Sequence, residues 1–209
     1  MFLKMCLDNG GHYRSPGEFR RSQNWLGPQG STLSTAPFVP PPEHEMTSAM
    51  NSLENFFYKE DYLPPLMKIG LIHAQFETIH PFLDGNGRMG RLLITFWLCH
   101  QQILSKPLLY LSYYFKRNRS EYYDRLMDIR IKGDWESWLK FFLKGIAEIS
   151  VEATDTAKSI LSIKEEHSRI INASVSNPAN GLKLLEILYK SPIITVNLTR
   201  DLFIQLRAH

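Results

Sequence analysis

Between residues 77 and 93 the chain reads ETIHPFLDGNGRMGRLL, a polar, glycine-rich turn set between two apolar stretches. His80 is the one group in it able to take a proton near neutral pH. Asp84 is the lone acid of the turn, and a carboxylate beside phosphates is the usual protein ligand for Mg²⁺. The run DGNG at 84–87 is turn chemistry, whose glycines allow positive φ and close approach of backbone to a ligand. The helix that starts there has first-turn N–H groups without internal partners, which makes an anion site. Arg88 and Arg91, three apart, share one face of it. Cations at this end oppose the helix dipole, at up to ~1 kcal/mol each. Such a placement is sensible around a bound polyanion and poor otherwise. A structural histidine and solvated arginines are the plainer reading, but the conjunction favours nucleotide or phosphate chemistry.

The elements that must position these groups read as helices. A helix over 43–58 places Met46, Met50, Leu53, Phe56 and Phe57 near the i, i+3, i+4, i+7 pattern. A second spans about 66–79, with Ile69, Ile72, Phe76 and Ile79 on one stripe, and His80 before Pro81 ends it. A third, about 87–101, is apolar nearly all round and reads as the central buried helix. Two more follow, separated by KGD at 132–134. Upstream, 18–26 and 31–39 read as the strands of an exposed hairpin turned by GPQG, and PPP at 40–42 ends it. ASVSNPANG at 173–181 reads as a linker, followed by two short helices that begin like a helix-turn-helix and stop before a groove-reading helix.

The 209 residues suffice for one good-sized domain with an appendage, and a net charge of +3 gives no bulk attraction for nucleic acid. Cys6 and Cys99 form no CxxC pair, which argues against a disulfide framework or a cysteine zinc site. No run of 18 apolar residues is present, so no membrane span is expected. The expectation is a cytoplasmic protein.

The segment HPFLDGNGRMGR, 80–91, matches position for position the signature of the Fic family, HPFx(D/E)GNGRxxR. FRRSQNWLG followed by APFVPPP resembles that family's flap hairpin, and NRSEYYDRL…GDWESWLKFFL resembles the helices that close its nucleotide site. The resemblance covers roughly residues 15–150, and the tail resembles the winged-helix appendage of some bacterial members. It implies an all-α Fic-fold bundle with a small β-hairpin flap and a partial winged-helix-like segment. The implied division is an N-terminal remnant 1–17, a Fic domain 18–172, a linker 173–180 and the tail 181–209. The implied activity is transfer of AMP from ATP to a Ser, Thr or Tyr hydroxyl of a target protein, releasing pyrophosphate. Carried over by position, His80 is the base and Asp84 holds Mg²⁺. Gly85, Asn86, Gly87 and Arg88 surround the phosphates, with Met89 and Gly90 in the same segment. Arg91 grips the γ-phosphate. Tyr122 and Tyr123 line the nucleotide site, and the flap residues Gln23, Asn24 and Trp25 pair with the target backbone as an added strand.

Many relatives carry an inhibitory (S/T)xxxE(G/N) helix. Here the one glutamate followed by Gly or Asn is Glu54, and Met50 stands where the Ser or Thr would be. Both ends look short relative to the family, so the expectation is constitutive activity or an inhibitory partner in trans, with homo-oligomerisation left open. Two further classes stay in view: a nucleotide-sensing, DNA-associated regulator, and a nucleotide-binding module without turnover.

Overall fold

The computed structural model describes residues 17–60, 62–175, 178–193, 195–197 and 200. Among them seven helices follow one another: α1 Glu43–Tyr58, α2 Pro65–Ile79, α3 Asn86–His100, α4 Leu111–Arg117, α5 Arg119–Lys132, α6 Trp135–Ser174 and α7 Ala179–Lys190. The chain forms two compact units that divide between residues 151 and 152. The all-α expectation holds, and α1 to α3 fall within a residue of the predicted bounds.

Local chemistry sets these limits. Glu43 and Glu45 occupy the first turn of α1, where carboxylates suit the positive end of the helix. Pro65 opens α2 at a position whose N–H would have no partner anyway. The Asp134 carboxylate accepts the Ser137 N–H at 3.1 Å and caps the start of α6. That cap separates α5 from α6 at the KGD run.

In the first unit the core is continuous from Met46, Met50 and Leu53 of α1 through Ile69, Ile72, Phe76 and Ile79 of α2 to Trp138, Phe141 and Phe142 of α6. The central helix is α2, not α3. It packs on α1, α3 and α5 and buries residues on nearly every side, whereas Leu92 of α3 is exposed. The reason lies in small residues: Gly70 brings α2 so close to α6 that a Cβ there would stand 2.9 Å from the Phe142 ring. The Gly70 carbonyl also accepts the buried Trp138 indole N–H at 2.9 Å.

The predicted hairpin is reduced, among the described residues, to one antiparallel bridge between Leu26 and Phe38. Its hydrogen bonds explain why. The Arg20 N–H goes to the Pro81 carbonyl at 2.8 Å, outside the hairpin, and the Gln23 amide reaches Pro40 O at 2.7 Å. Pro37 and Pro40 have no N–H to donate to a ladder. The segment is instead pinned by side chains: the Arg130 guanidinium lies 3.5 Å from the centre of the Phe38 ring, and Phe19 packs on Phe82 at 5.5 Å.

In the second unit, Ile171 meets Gly181 of α7 closely, and Lys164 pairs with Glu186 at 2.9 Å. The first helix of the predicted tail is α7. The second, about 197–206, lies almost wholly outside the described residues, as does the N-terminal remnant.

Candidate active site

His80 is the first residue beyond α2, and Pro81 after it cannot continue the helix. The backbone of His80 takes the left-handed region, φ 51° and ψ 60°. A non-glycine residue there costs about 1–3 kcal/mol and persists only where its surroundings over-determine it. They do so here. The His80 N–H reaches Phe76 O at 2.9 Å, its carbonyl accepts Arg20 Nε at 3.0 Å, and the next carbonyl accepts the Arg20 N–H at 2.8 Å. The His80 Nδ1 is buried without a hydrogen bond of normal geometry, which leaves Nε2 as the ring atom to take a proton.

The turn is stapled from inside by Asn86. Its Oδ1 accepts the Phe82 N–H at 2.9 Å and its Nδ2 donates to Phe82 O at 2.7 Å. The side chain is thus spent on the loop itself, and what residues 85–87 offer a ligand is backbone. Gly85 caps α3 at φ 82°, a conformation that favours glycine. Replacing Asn86 by Ala leaves the buried Phe82 N–H unpaired and leaves Phe82 O only the longer bond from Asn24 at 3.3 Å. The expected cost is about 1–3 kcal/mol, read as a lowered thermal midpoint, with Asn86→Asp intermediate because it keeps the acceptor.

The two arginines differ. Arg88 is well exposed and lies 3.8 Å from the half-exposed Asp84, a pair worth little in water. Arg91 folds back over α3, its Nη1 3.0 Å from where a Gly87 Cβ would stand. Glycine at 87 leaves that guanidinium room at the mouth of the turn.

Beneath the loop is a buried polar layer that sequence reasoning missed. His73 and Glu77, one turn apart on α2, face Gly90, where a Cβ would stand 2.6 Å from Glu77 Oε1 and 3.2 Å from His73 Nδ1. His73 Nε2 shares a 3.0 Å hydrogen bond with the Tyr122 hydroxyl. Arg130 of α5 donates to Thr78 Oγ1 and Glu77 O, both at 3.1 Å, over the end of α2. Burial lowers His73 to about 4, the Gly90 carbonyl offsetting part of this while Arg91 adds to it. Burial also lowers His80 to about 4, with the Glu77 carbonyl offsetting part of it. Burial raises the Glu77 carboxyl to about 7, against the pull of Arg91 and Arg130. His80 is therefore neutral at physiological pH, the state a base requires.

These shifts have opposite consequences for stability. The unfolded histidines protonate below about 6.5 and the folded ones only near 4, so they destabilise the fold as pH falls through that window. Glu77 takes up its proton near 7 when folded and near 4.5 when unfolded, so it stabilises the fold as pH falls from 7 to 4.5. The two trends oppose each other. Glu77→Gln removes the second, so its thermal midpoint should fall more steeply than the parent's between pH 6.5 and 4.5. Parallel curves would contradict this assignment.

The remaining sequence-predicted residues fall in varied places. Met89 is 3% exposed in the core, and Gly90 faces the buried layer. Tyr122 is 5% exposed, its ring packed on Phe115 at 4.6 Å and its hydroxyl committed to His73. Tyr123 is exposed, with the Arg119 guanidinium 5.7 Å from its ring centre. Asn24 reaches the loop, its amide donating to Phe82 O at 3.3 Å, while the exposed Trp25 bonds within the flap to Ser31 O at 2.8 Å. A separate, largely apolar groove of about 690 Å³ runs between α1, α3 and residues 17–21 and includes none of His80, Asp84, Arg88 or Arg91 in its walls.

Among the described residues no group of three or more His, Cys, Asp or Glu could enclose a metal. The turn does fit an ion held chiefly by phosphate oxygens, since Asp84 presents one half-exposed carboxylate beside the start of α3.

Residues 4–98 match the family model described as the Fic/DOC family. The chain is 32% identical over 93 residues to a "Probable protein adenylyltransferase" of Aquifex aeolicus (strain VF5), covering 44% of this chain and 27% of that protein. It is 32% identical over 127 residues to "Protein adenylyltransferase Fic" of Aedes aegypti, covering 60% of this chain and 22% of that one. The chain thus spans about a quarter of the length of the curated relatives it matches. A crystal structure of a Fic family protein from Desulfovibrio desulfuricans G20 superposes with a TM-score of 0.61 at 26% identity, over 70% of this chain and 43% of that one. The signature turn between α2 and α3 lies inside the matched region, so residues 4–98 are similar in sequence to the Fic/DOC family and the fold is similar to that of the Fic family structure.

Proposed function

We propose that the chain is a protein adenylyltransferase, moving AMP from ATP to a hydroxyl side chain of a target protein. The observation that carries this is that one short turn sets His80 at the end of α2, glycine-lined backbone at the start of α3 and the Arg91 guanidinium beside Gly87. The names of the relatives support the same reading.

In the transfer, the target hydroxyl oxygen attacks the α-phosphorus of ATP and its proton passes to Nε2 of His80. The bond from the α-phosphorus to the bridging oxygen breaks, and pyrophosphate leaves. Nucleotidyl transfer depends mainly on positioning and charge neutralisation. First-turn N–H groups of α3 and the Arg88 side chain receive the phosphates, and Arg91 holds the far end so that the α-phosphorus lies in line. Asp84 would hold Mg²⁺, which when bound neutralises phosphate charge. Met89 and Gly90 serve the nucleotide from behind, by packing α3 on α2. Tyr123 is the tyrosine of the pair free to approach the nucleotide, while Tyr122 supports the site from the core.

Residues 23–25 are the proposed target dock. Among the described residues no main-chain hydrogen bond is recorded for their N–H groups, and an extended target segment would pair there as an added strand. The same reading sets the protein in the cytoplasm, with Cys99 as a free thiol. Intact-mass spectrometry after incubation with Mg-ATP, alone and with cell lysate, tests the proposal. Gain of one AMP on the enzyme or on a lysate protein supports it. A folded protein that neither labels anything nor consumes ATP opposes it.

A further inference from the structure

We propose that Arg20 is a positioning residue that fixes the His80 backbone and ties it to both ends of the flap. Arg20 is 2% exposed, rare for a charged side chain, and among the described residues no carboxylate pairs with it within 4.0 Å. Its partners are carbonyls. Nε donates to His80 O at 3.0 Å, Nη1 to Ser22 O at 3.3 Å and Nη2 to Pro41 O. Its own N–H donates to Pro81 O at 2.8 Å.

The placement of those carbonyls is informative. Two belong to the consecutive residues His80 and Pro81, the first of them in the left-handed region. The other two lie on either side of the Leu26–Phe38 bridge, Ser22 in the outgoing flap segment and Pro41 just beyond the returning one. Burying a guanidinium costs free energy that carbonyl partners repay only in part. The fork geometry of arginine holds its own segment at Ser22 and two distant segments at Pro41 and His80 at once, which a lysine ammonium cannot do with comparable angles. The side chain therefore sets the direction from which the imidazole leaves the chain, and any displacement of the flap ends pulls on the same group.

This inference rests on the reading of His80 as the base, and two measurements separate the two claims. Arg20→Lys and Arg20→Gln are compared with the parent well below every thermal midpoint. In the first measurement, AMP transfer is followed with ATP as probe. The expected result is a fall in kcat of about tenfold or more, with the affinity for Mg-ATP within about twofold of the parent. In the second, the His80 ring is followed by NMR, assigned from the spectrum of His80→Ala. Its resonance and titration midpoint should move in both variants. An unchanged His80 signal overturns the inference whatever the activity, as does a lowered thermal midpoint with kcat intact. If neither variant folds, the arginine serves the fold itself and the inference also fails. An inactive parent, labelling no more than His80→Ala, removes the role of His80 as base, while the NMR comparison still decides whether Arg20 positions its ring.

Discussion

His80→Ala should lower AMP transfer by about 10²–10⁴-fold, the usual range for loss of a positioned base, while Mg-ATP binding stays near the parent value. The split between transfer and binding follows from the geometry. The ring stands at the end of α2, whereas the anion-receiving groups belong to the start of α3. Alanine also accepts the left-handed backbone less readily than histidine, so part of any loss in stability comes from φ 51° rather than from the missing ring. Asn at position 80 controls for that, since it tolerates the conformation but cannot serve as the base. It should be as inactive as alanine and more stable. Activity of the parent should be flat through neutrality and fall as pH drops towards 4, where His80 takes its proton.

Arg91→Ala is expected to cost about 10³-fold in transfer, within the range seen when a preorganised charge is removed from a phosphoryl-type transition state. Its melting temperature should match the parent. No hydrogen bond or ion pair within 4.0 Å engages its guanidinium among the described residues, so little folding energy rests on it. The buried charge it faces, Glu77, already takes up a proton near 7 and can stay neutral when the arginine is gone. A large drop in midpoint with transfer intact would place Arg91 among the structural residues. Arg88→Ala should have the smaller effect of the two, because its side chain is solvated and paired only loosely with Asp84.

Much of this site was legible before the fold was known. The bounds of α2 and α3 followed from apolar periodicity and from Pro81. The turn followed from DGNG, and the start of α3 from the residues just beyond it. What escaped was long-range or context-bound. Arg20 read as one polar residue of a strand, and its burial depends on carbonyls about 20 and 60 positions away. Arg130 carried no signal of its own in the sequence, yet it covers the end of α2 and the Phe38 ring. His73 and Glu77 lay in plain view, four apart within an apolar stripe. Two ionisable residues at that spacing on a buried face were a signal that periodicity alone passes over. The hairpin failed for a local reason, since side chains and prolines took the hydrogen bonds that a ladder would have used.

The most direct measurement uses ATP labelled at either the α- or the γ-phosphate, with the parent and His80→Ala in parallel and lysate as acceptor. A seat that grips the far phosphate and presents the near one passes on the α-label alone, and only in the parent. Transfer of the γ-label, or equal labelling by the parent and by His80→Ala, would contradict it.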